Sequence, residues 1–216
     1  MGLAGVGRDY PPTDEAGFLA YAHSLGEPSL DDALRAARPL TPIRGYRTTE
    51  NRLRHYDRLR RRPERFVLLG DAVCAFNPVY GQGMTVAAQG ALALDSCLRE
   101  QRRSTGDLGD LVGLARRFQR KLARITATPW LLATGEDYRV PQTEGGQPGP
   151  LTRLLHRYMD RVMLAAAHEP RIQLRLGEVL HLLAPPHVLF HPAIAARALR
   201  PGLQPALRAD PVPSAP

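Results

Sequence analysis

The sequence predicts an α/β chain, α+β in part, and three observations carry that expectation. Phe66-Val67-Leu68-Leu69 is a continuous apolar run of strand length, the pattern of a strand buried on both faces. A loop rich in Gly, Asn and Pro follows it and opens into a long helix from about 81 to 101. Beyond residue 150 the chain offers only helical candidates, at 151–168, 171–183 and 193–199.

Taken in order, residues 2–8 suggest a short strand that Pro11-Pro12 ends. Thr13-Asp14-Glu15 then reads as a helix start with acids in the first turn. Phe18, Leu19, Ala22 and Leu25 give that helix an apolar stripe, and Gly26 ends it. Ser29, with Asp32 three residues on, resembles a capping box for a second short helix through Ala37, closed by Pro39. The mixture of apolar, aromatic and threonine residues over 40–49 predicts a strand. After the basic run 52–65 and the strand at 66–69 comes the long helix. Its expected apolar stripe is Met84, Ala87, Ala88, Ala91, Leu94 and Leu98, at helical spacing. A further helix is expected over 108–128, stopped by Pro129. Residues 140–150 read as a loop or linker. The proline-rich tail 201–216 lacks periodicity and is expected to be disordered.

Composition narrows the class. The 216 residues are 44% hydrophobic and 23% charged, which suits a chain with a real core rather than a disordered one. Cys74 and Cys97 are the only cysteines and form no Cys-x-x-Cys pair, so neither a disulfide framework nor a zinc site is indicated. No stretch approaches the ~20 apolar residues of a membrane span. The first residues lack a signal-peptide core. Extracellular, membrane-spanning and collagen-like classes drop out, and the cytoplasm is the expected compartment. The net charge of +8 invites a nucleic-acid reading, yet Lys121 is the sole lysine among 29 basic residues. So strong an arginine bias, beside abundant alanine and proline, looks like the codon usage of a GC-rich genome.

Chemistry concentrates in one stretch, Phe66-Val-Leu-Leu-Gly-Asp-Ala-Val-Cys-Ala-Phe-Asn-Pro-Val-Tyr-Gly-Gln-Gly-Met84. Ligands of open α/β sheets bind beyond the carboxyl ends of the strands, and the expected strand ends at Gly70-Asp71. Gly70 lacks a Cβ and lets a ligand approach the backbone. Asp71 offers a carboxylate for hydroxyl groups. Asn77-Pro78 sets a turn, and Gly81-Gln82-Gly83 opens a helix whose bare amides favour an anion or an electron-rich ring edge.

This stretch resembles the second flavin-binding motif of the FAD-dependent aromatic hydroxylases and related flavoprotein monooxygenases. That motif reads Gly-Asp-Ala, a short spacer, then Pro and a Gly-x-Gly helix start. The resemblance implies a partial FAD-binding Rossmann-like domain with substrate-side strands and a helical C-terminal region. Asp71, after Gly70, would hold the ribityl chain of FAD. Pro78, Gly81, Gln82, Gly83 and Met84 would lie beside the pyrimidine end of the isoalloxazine, where the helix dipole favours negative charge on the reduced ring. The plain alternative is a strand–turn–helix with a capping aspartate. Segments Tyr10-Pro-Pro-Thr-Asp-Glu-Ala-Gly-Phe18, Arg44-Gly-Tyr-Arg47 and Pro129-Trp-Leu-Leu-Ala-Thr-Gly-Glu-Asp137 also look like parts of the actinobacterial FAD-dependent oxidoreductases in this group, with less defined roles.

On this resemblance, 1–62 is a remnant of the substrate-binding sheet and its connectors. Residues 63–128 form the later part of the FAD-binding domain, 129–200 a helical region and 201–216 the tail. Two family parts are missing from the sequence. Gly5-Val6-Gly7 looks like the start of the Gly-x-Gly-x-x-Gly unit that holds the FAD pyrophosphate, but Tyr10 replaces its third glycine and Pro11-Pro12 blocks the helix. The family's Asp-Gly motif is absent too. The expected function is an FAD-dependent monooxygenase-type oxidoreductase or the later portion of one, with NADH or NADPH as electron donor and a small apolar or aromatic substrate. Its partner would be a chain carrying the N-terminal FAD unit. No side chain is assigned as acid, base or nucleophile. The alternatives are a non-catalytic truncated chain or partner subunit and, more weakly, an arginine-rich nucleic-acid binder.

Other features read more plainly. Arg52, Arg54, Arg58, Arg60, Arg61, Arg62 and Arg65, with His55 and Tyr56 interleaved, suit a nucleic-acid surface. Without an accompanying motif they read better as an exposed connector. His187 and His191 have metal-like spacing, but the prolines around them argue against one helix and no third ligand is evident. Cys74 reads as a small buried hydrophobe. Leu154, Leu155, Met159, Met163, Leu164, Ile172, Leu176, Leu180 and Leu183 read as helix packing. An apolar lid or a membrane-surface patch is the second reading for them.

Overall fold

The computed structural model describes residues 1–5, 9–47, 50–106, 109–144 and 147–203. Among them the architecture is mostly helical, which overturns the α/β expectation. The helices are α1 (Glu15–Ser24), α2 (Pro28–Ala36), α3 (Gly83–Thr105), α4 (Leu114–Asp137), α5 (Pro150–His168), α6 (Pro170–Leu180) and α7 (Pro192–Ala198). The described strands, β1 (Arg52–Leu53) and β2 (Cys74–Ala75), make one antiparallel pair with Arg52 opposite Ala75 and Leu53 opposite Cys74. No helix among the described residues is long and apolar enough to cross a membrane.

The expected strand at Phe66–Leu69 is not one. The segment runs into the turn at Gly70 with extended backbone, Leu69 standing at φ −145° and ψ 157°. It pairs with no strand among the described residues. A parallel strand needs neighbours on its hydrogen-bonding edges, and no strand flanks this segment among the described residues. One partner comes from a helix instead. The buried Gln119 of α4 donates from Nε2 to the Leu68 carbonyl at 2.8 Å. Val67, Leu68 and Leu69 pack on the core between α3 and α4, while Phe66 stays exposed.

That core is the main organising element. Phe118 and Leu122 of α4 are fully buried against Ala93 and Cys97 of α3, with Val73 and Leu114 completing the cluster. Gly90 makes the approach feasible. A Cβ there would stand 2.7 Å from Leu69 Cδ1 and 3.1 Å from Leu122 Cδ1, closer than packed carbons tolerate. The buried face of α3 is therefore Val86, Gly90, Ala93, Cys97 and Gln101. The expected stripe is rotated away from it: Met84, Ala88, Ala91 and Leu98 are exposed. Alanine and glycine sit on both sides of this helix, so apolar spacing alone does not distinguish its faces.

Other elements depart from expectation for local reasons. α4 continues through Pro129 instead of stopping there. An interior proline costs about 3 kcal/mol in an exposed helix, but Pro129 is fully buried. The Thr126 hydroxyl, one turn before it, donates to the Leu122 and Ala123 carbonyls at 3.1 and 3.2 Å. The capping box at Ser29 does not form either. Glu27 caps α2, accepting from the Ser29 amide at 3.4 Å and from its hydroxyl. α1 starts as expected, with Asp14 accepting the Gly17 amide at 2.8 Å. The described part of 40–49 contains no strand, and Leu40 there is exposed. The expected strand at 2–8 lies partly, and the tail 201–216 mostly, outside the described residues.

A second core unites α5, α6 and α7 through Val162, Ala165, Ile172, Leu176, Val179, Leu189 and Ile194. The C-terminal carbonyls of α7 need partners. The Leu199 and Arg200 amides meet those of Ala195 and Arg197, and Arg161 donates to that of Ala198 at 2.8 Å and to the Arg200 and Leu203 carbonyls beyond the helix. Between the cores, Arg139 pairs with Asp160 at 2.9 Å, and His156 Nε2 lies 2.9 Å from the Gly135 carbonyl.

Gly90→Leu should lower stability by about 1–3 kcal/mol, the usual cost of overpacking. Leu92→Ala, on an exposed position of the same helix, should change it by no more than about 0.5 kcal/mol. Thermal melts of the two variants check the orientation of α3.

Candidate functional site

The motif residues gather at one end of the α3–α4 pair. Gly70, Asp71 and Ala72 form a single 3-10 turn packed along α3. A Cβ on Gly70 would reach within 3.8 Å of Ala87 Cβ. Gly70 and Gly81 hold φ near +60° and +65°, the left-handed region in which glycine carries no steric penalty. The first lets the chain turn against α3, and the second ends the Pro78–Tyr80 3-10 turn just before α3 begins.

Asp71 is exposed, and no hydrogen bond reaches its carboxylate among the described residues. At the opening of α3 the first intrahelical bond runs from the Val86 amide to Gln82 at 3.0 Å. The amides of Gly83, Met84 and Thr85 thus come before the helical ladder and mark its positive end. Cβ atoms built on Gly81 and Gly83 would meet nothing within 4 Å, so both glycines border unfilled space. Met84 is 87% exposed on the same opening. Gln82 differs. Its side chain is buried, with Nε2 3.4 Å from the Leu180 carbonyl and Oε1 unpartnered among the described residues. Pro78 is exposed and sets the turn.

The turn itself is held by a polar network that sequence reasoning missed. Asn51 Oδ1, next to β1, accepts the Asn77 amide at 2.8 Å, and Asn77 Oδ1 accepts the Val79 amide at 3.1 Å. The Tyr80 hydroxyl donates to Asp137 Oδ1, and Asn51 Nδ2 donates to Asp137 Oδ2. Asp137 lies 57 residues from Tyr80 and 86 from Asn51. No local spacing joins such residues; the only hint was that Asp137 ends the segment starting at Pro129. Burial, then the hydrogen bond to Asp137 and its charge, push the Tyr80 phenol well above its ordinary range.

Cys74, inside the motif, is buried at 2% exposure. Burial first, and the Asp71 charge second, push its thiol up to about 12. A thiol so rarely ionised is a poor nucleophile. His191 Nδ1 accepts the Ala193 amide at 3.3 Å and caps α7, while His187 stands in the preceding 3-10 turn. Within the basic run, Arg52 pairs with Glu50 at 3.2 Å, Arg54 reaches the Ala72 carbonyl at 3.3 Å, and Arg62 binds the Leu59 carbonyl at 2.8 Å. Leu154 and Leu155 line an apolar groove of about 440 Å³ with Leu151, Tyr158, Phe190 and Leu199.

No protein-family model matches the chain. The chain is similar to Protein Rv3254 of Mycobacterium tuberculosis, with 34% identity over 128 residues. The match takes in 59% of this chain and 26% of that protein, whose name states no activity. The chain thus spans about a quarter of the curated relative it matches.

Cys74 and Tyr80 are neutral when protonated and hold their protons more tightly in the folded chain than their ordinary values of 9.0 and 10.0. Their contribution is complete below about pH 9. As pH rises further the unfolded chain releases protons that the folded chain keeps, so stability falls. Thermal melts from pH 7 to 11 should show Tm dropping above about pH 9, with a shallower slope in Tyr80→Phe and in Cys74→Ala.

Proposed function

We propose that this chain supplies the ribityl and ring side of a flavin site in an FAD-dependent oxidoreductase of the monooxygenase type. One observation carries the reading: the Asp71 carboxylate, exposed and without a hydrogen-bond partner among the described residues, sits on a turn packed along α3 beside its glycine-opened N-terminus. A carboxylate accepts from sugar-alcohol hydroxyls, and an open ring of amides stabilises negative charge beside them. Asp71 and the backbone at Gly81, Gly83 and Met84 are the residues that would hold the flavin. The bound flavin would bring the redox chemistry, with NADH or NADPH as electron donor and an apolar or aromatic small molecule as substrate.

The uncovered surfaces fit a chain that works with further FAD-binding structure. The segment at 66–69 has extended backbone with no strand beside it among the described residues. Met84, Ala88, Ala91 and Leu92 leave an apolar face of α3 exposed. A partner chain carrying the N-terminal FAD unit would hold the pyrophosphate. A cytoplasmic setting goes with the two buried free thiols.

Riboflavin carries the ring and the ribityl chain without the pyrophosphate, and its fluorescence reports binding. Titrating it with the wild-type chain should give saturable quenching. Asp71→Ala should weaken binding about tenfold or more, the effect of one lost hydrogen bond to a charged group. FAD should bind no tighter than riboflavin. No quenching, or equal affinity in Asp71→Ala, would favour a chain without a flavin role.

A further inference from the structure

We propose that Asp137 is a positioning residue, clamping from the end of α4 the turn that sets the start of α3. The proposal rests on the flavin reading for its purpose and on hydrogen-bond geometry for its substance. It gives a role to the segment from Pro129 to Asp137, which resembles the family without an assigned task.

The clamp holds both ends of one short turn. At its beginning, Asn51 accepts the Asn77 amide at 2.8 Å. At its end, the Tyr80 hydroxyl donates to Asp137 Oδ1. Asp137 Oδ2 takes the Asn51 amide group, so one carboxylate fastens both arms. The Asp137 backbone carbonyl also accepts the Thr143 hydroxyl, tying the end of α4 to the chain that follows. Asn51, Asn77, Tyr80 and Asp137 are all partly buried, where charge-assisted hydrogen bonds gain over their solvent-exposed equivalents. Gly81 follows Tyr80 in the left-handed region, and α3 begins two residues later. Fixing Tyr80 therefore fixes the direction in which the Gly83 and Met84 amides point relative to Asp71.

Both carboxylate oxygens of Asp137 accept, from a phenol and from an amide N–H. An asparagine there could still meet both partners, with its NH2 donating to the phenol oxygen, so only a side chain without polar atoms, such as alanine, releases both arms. Tyr80 likewise needs its hydroxyl, and phenylalanine would keep the ring while releasing that end of the turn. Glu136, the other acid whose charge Tyr80 feels, is paired with Arg139 at 2.6 Å and leaves Asp137 as the acceptor.

The test measures amide hydrogen exchange by mass spectrometry on the whole chain, together with riboflavin titration. In Asp137→Ala, which removes both bonds, peptides covering 77–86 should exchange about tenfold faster while those in 170–180 stay unchanged. Riboflavin affinity should fall about tenfold, and adding Tyr80→Phe should weaken it little further, because the hydroxyl has already lost its acceptor. Tyr80→Phe alone removes a single hydroxyl and serves if Asp137→Ala does not fold. Unchanged exchange over 77–86, or a uniform rise along the whole chain, would overturn the clamp. If that segment loosens while the wild-type chain fails to quench riboflavin, the clamp holds and the flavin reading falls.

Discussion

The close contact between α3 and α4 at Gly90 is the constraint on which the rest of this chain depends. Without a side chain at that position, Leu69 and Leu122 come within contact of the helix backbone. Phe118 and Leu122 then bury completely. A fully buried large apolar side chain contributes about 1.5–3 kcal/mol, and these two lie in the middle of the seam. The same packing fixes the extended segment before Gly70, because Leu69 fits over Gly90 and Gln119 bonds the Leu68 carbonyl. The turn carrying Asp71 is thereby anchored to the helix whose N-terminus completes the candidate site.

A site assembled this way is preorganised by elements remote from it. Asp71 and the opening of α3 come from one stretch of sequence, but the turn joining them is held by Asn51, just before the first strand, and Asp137 from the end of α4. Groups that must meet a rigid, flat ligand benefit from being set before it arrives, since ordering them on binding weakens affinity. The helix terminus contributes a partial positive charge beside the Asp71 turn. Its glycines keep that terminus uncovered.

The motif and its turn chemistry were legible in the sequence because they are local. Pro78, Gly81 and Gly83 hold the turn and helix-start places that their residue types imply, while Gly70 and Asp71 stand in a 3-10 turn instead of at the end of a strand. The starts of α5, α6 and α7 fall within one residue of the expected 151, 171 and 193. What depends on distant partners was not legible. Phe66–Leu69 reads as a buried strand, yet a strand is a property of a pair, and its described neighbours are helices. Pro129 reads as a helix stop, but its burial decides otherwise. Both sides of α3 are rich in small residues, so its buried face depends on what packs there. Asp137, Tyr80 and Asn51 carry no mark of their association in the order of the chain.

The central claim is that the Asp71 turn and the start of α3 form one flavin-side surface. Amide chemical shifts of the isotope-labelled chain, followed while riboflavin is added, test this most directly. Saturable shifts confined to Gly70–Val73 and Gly81–Val86 are the expected result. Shifts centred elsewhere, such as the apolar groove at Leu154 and Phe190, or none at saturating riboflavin, would contradict it.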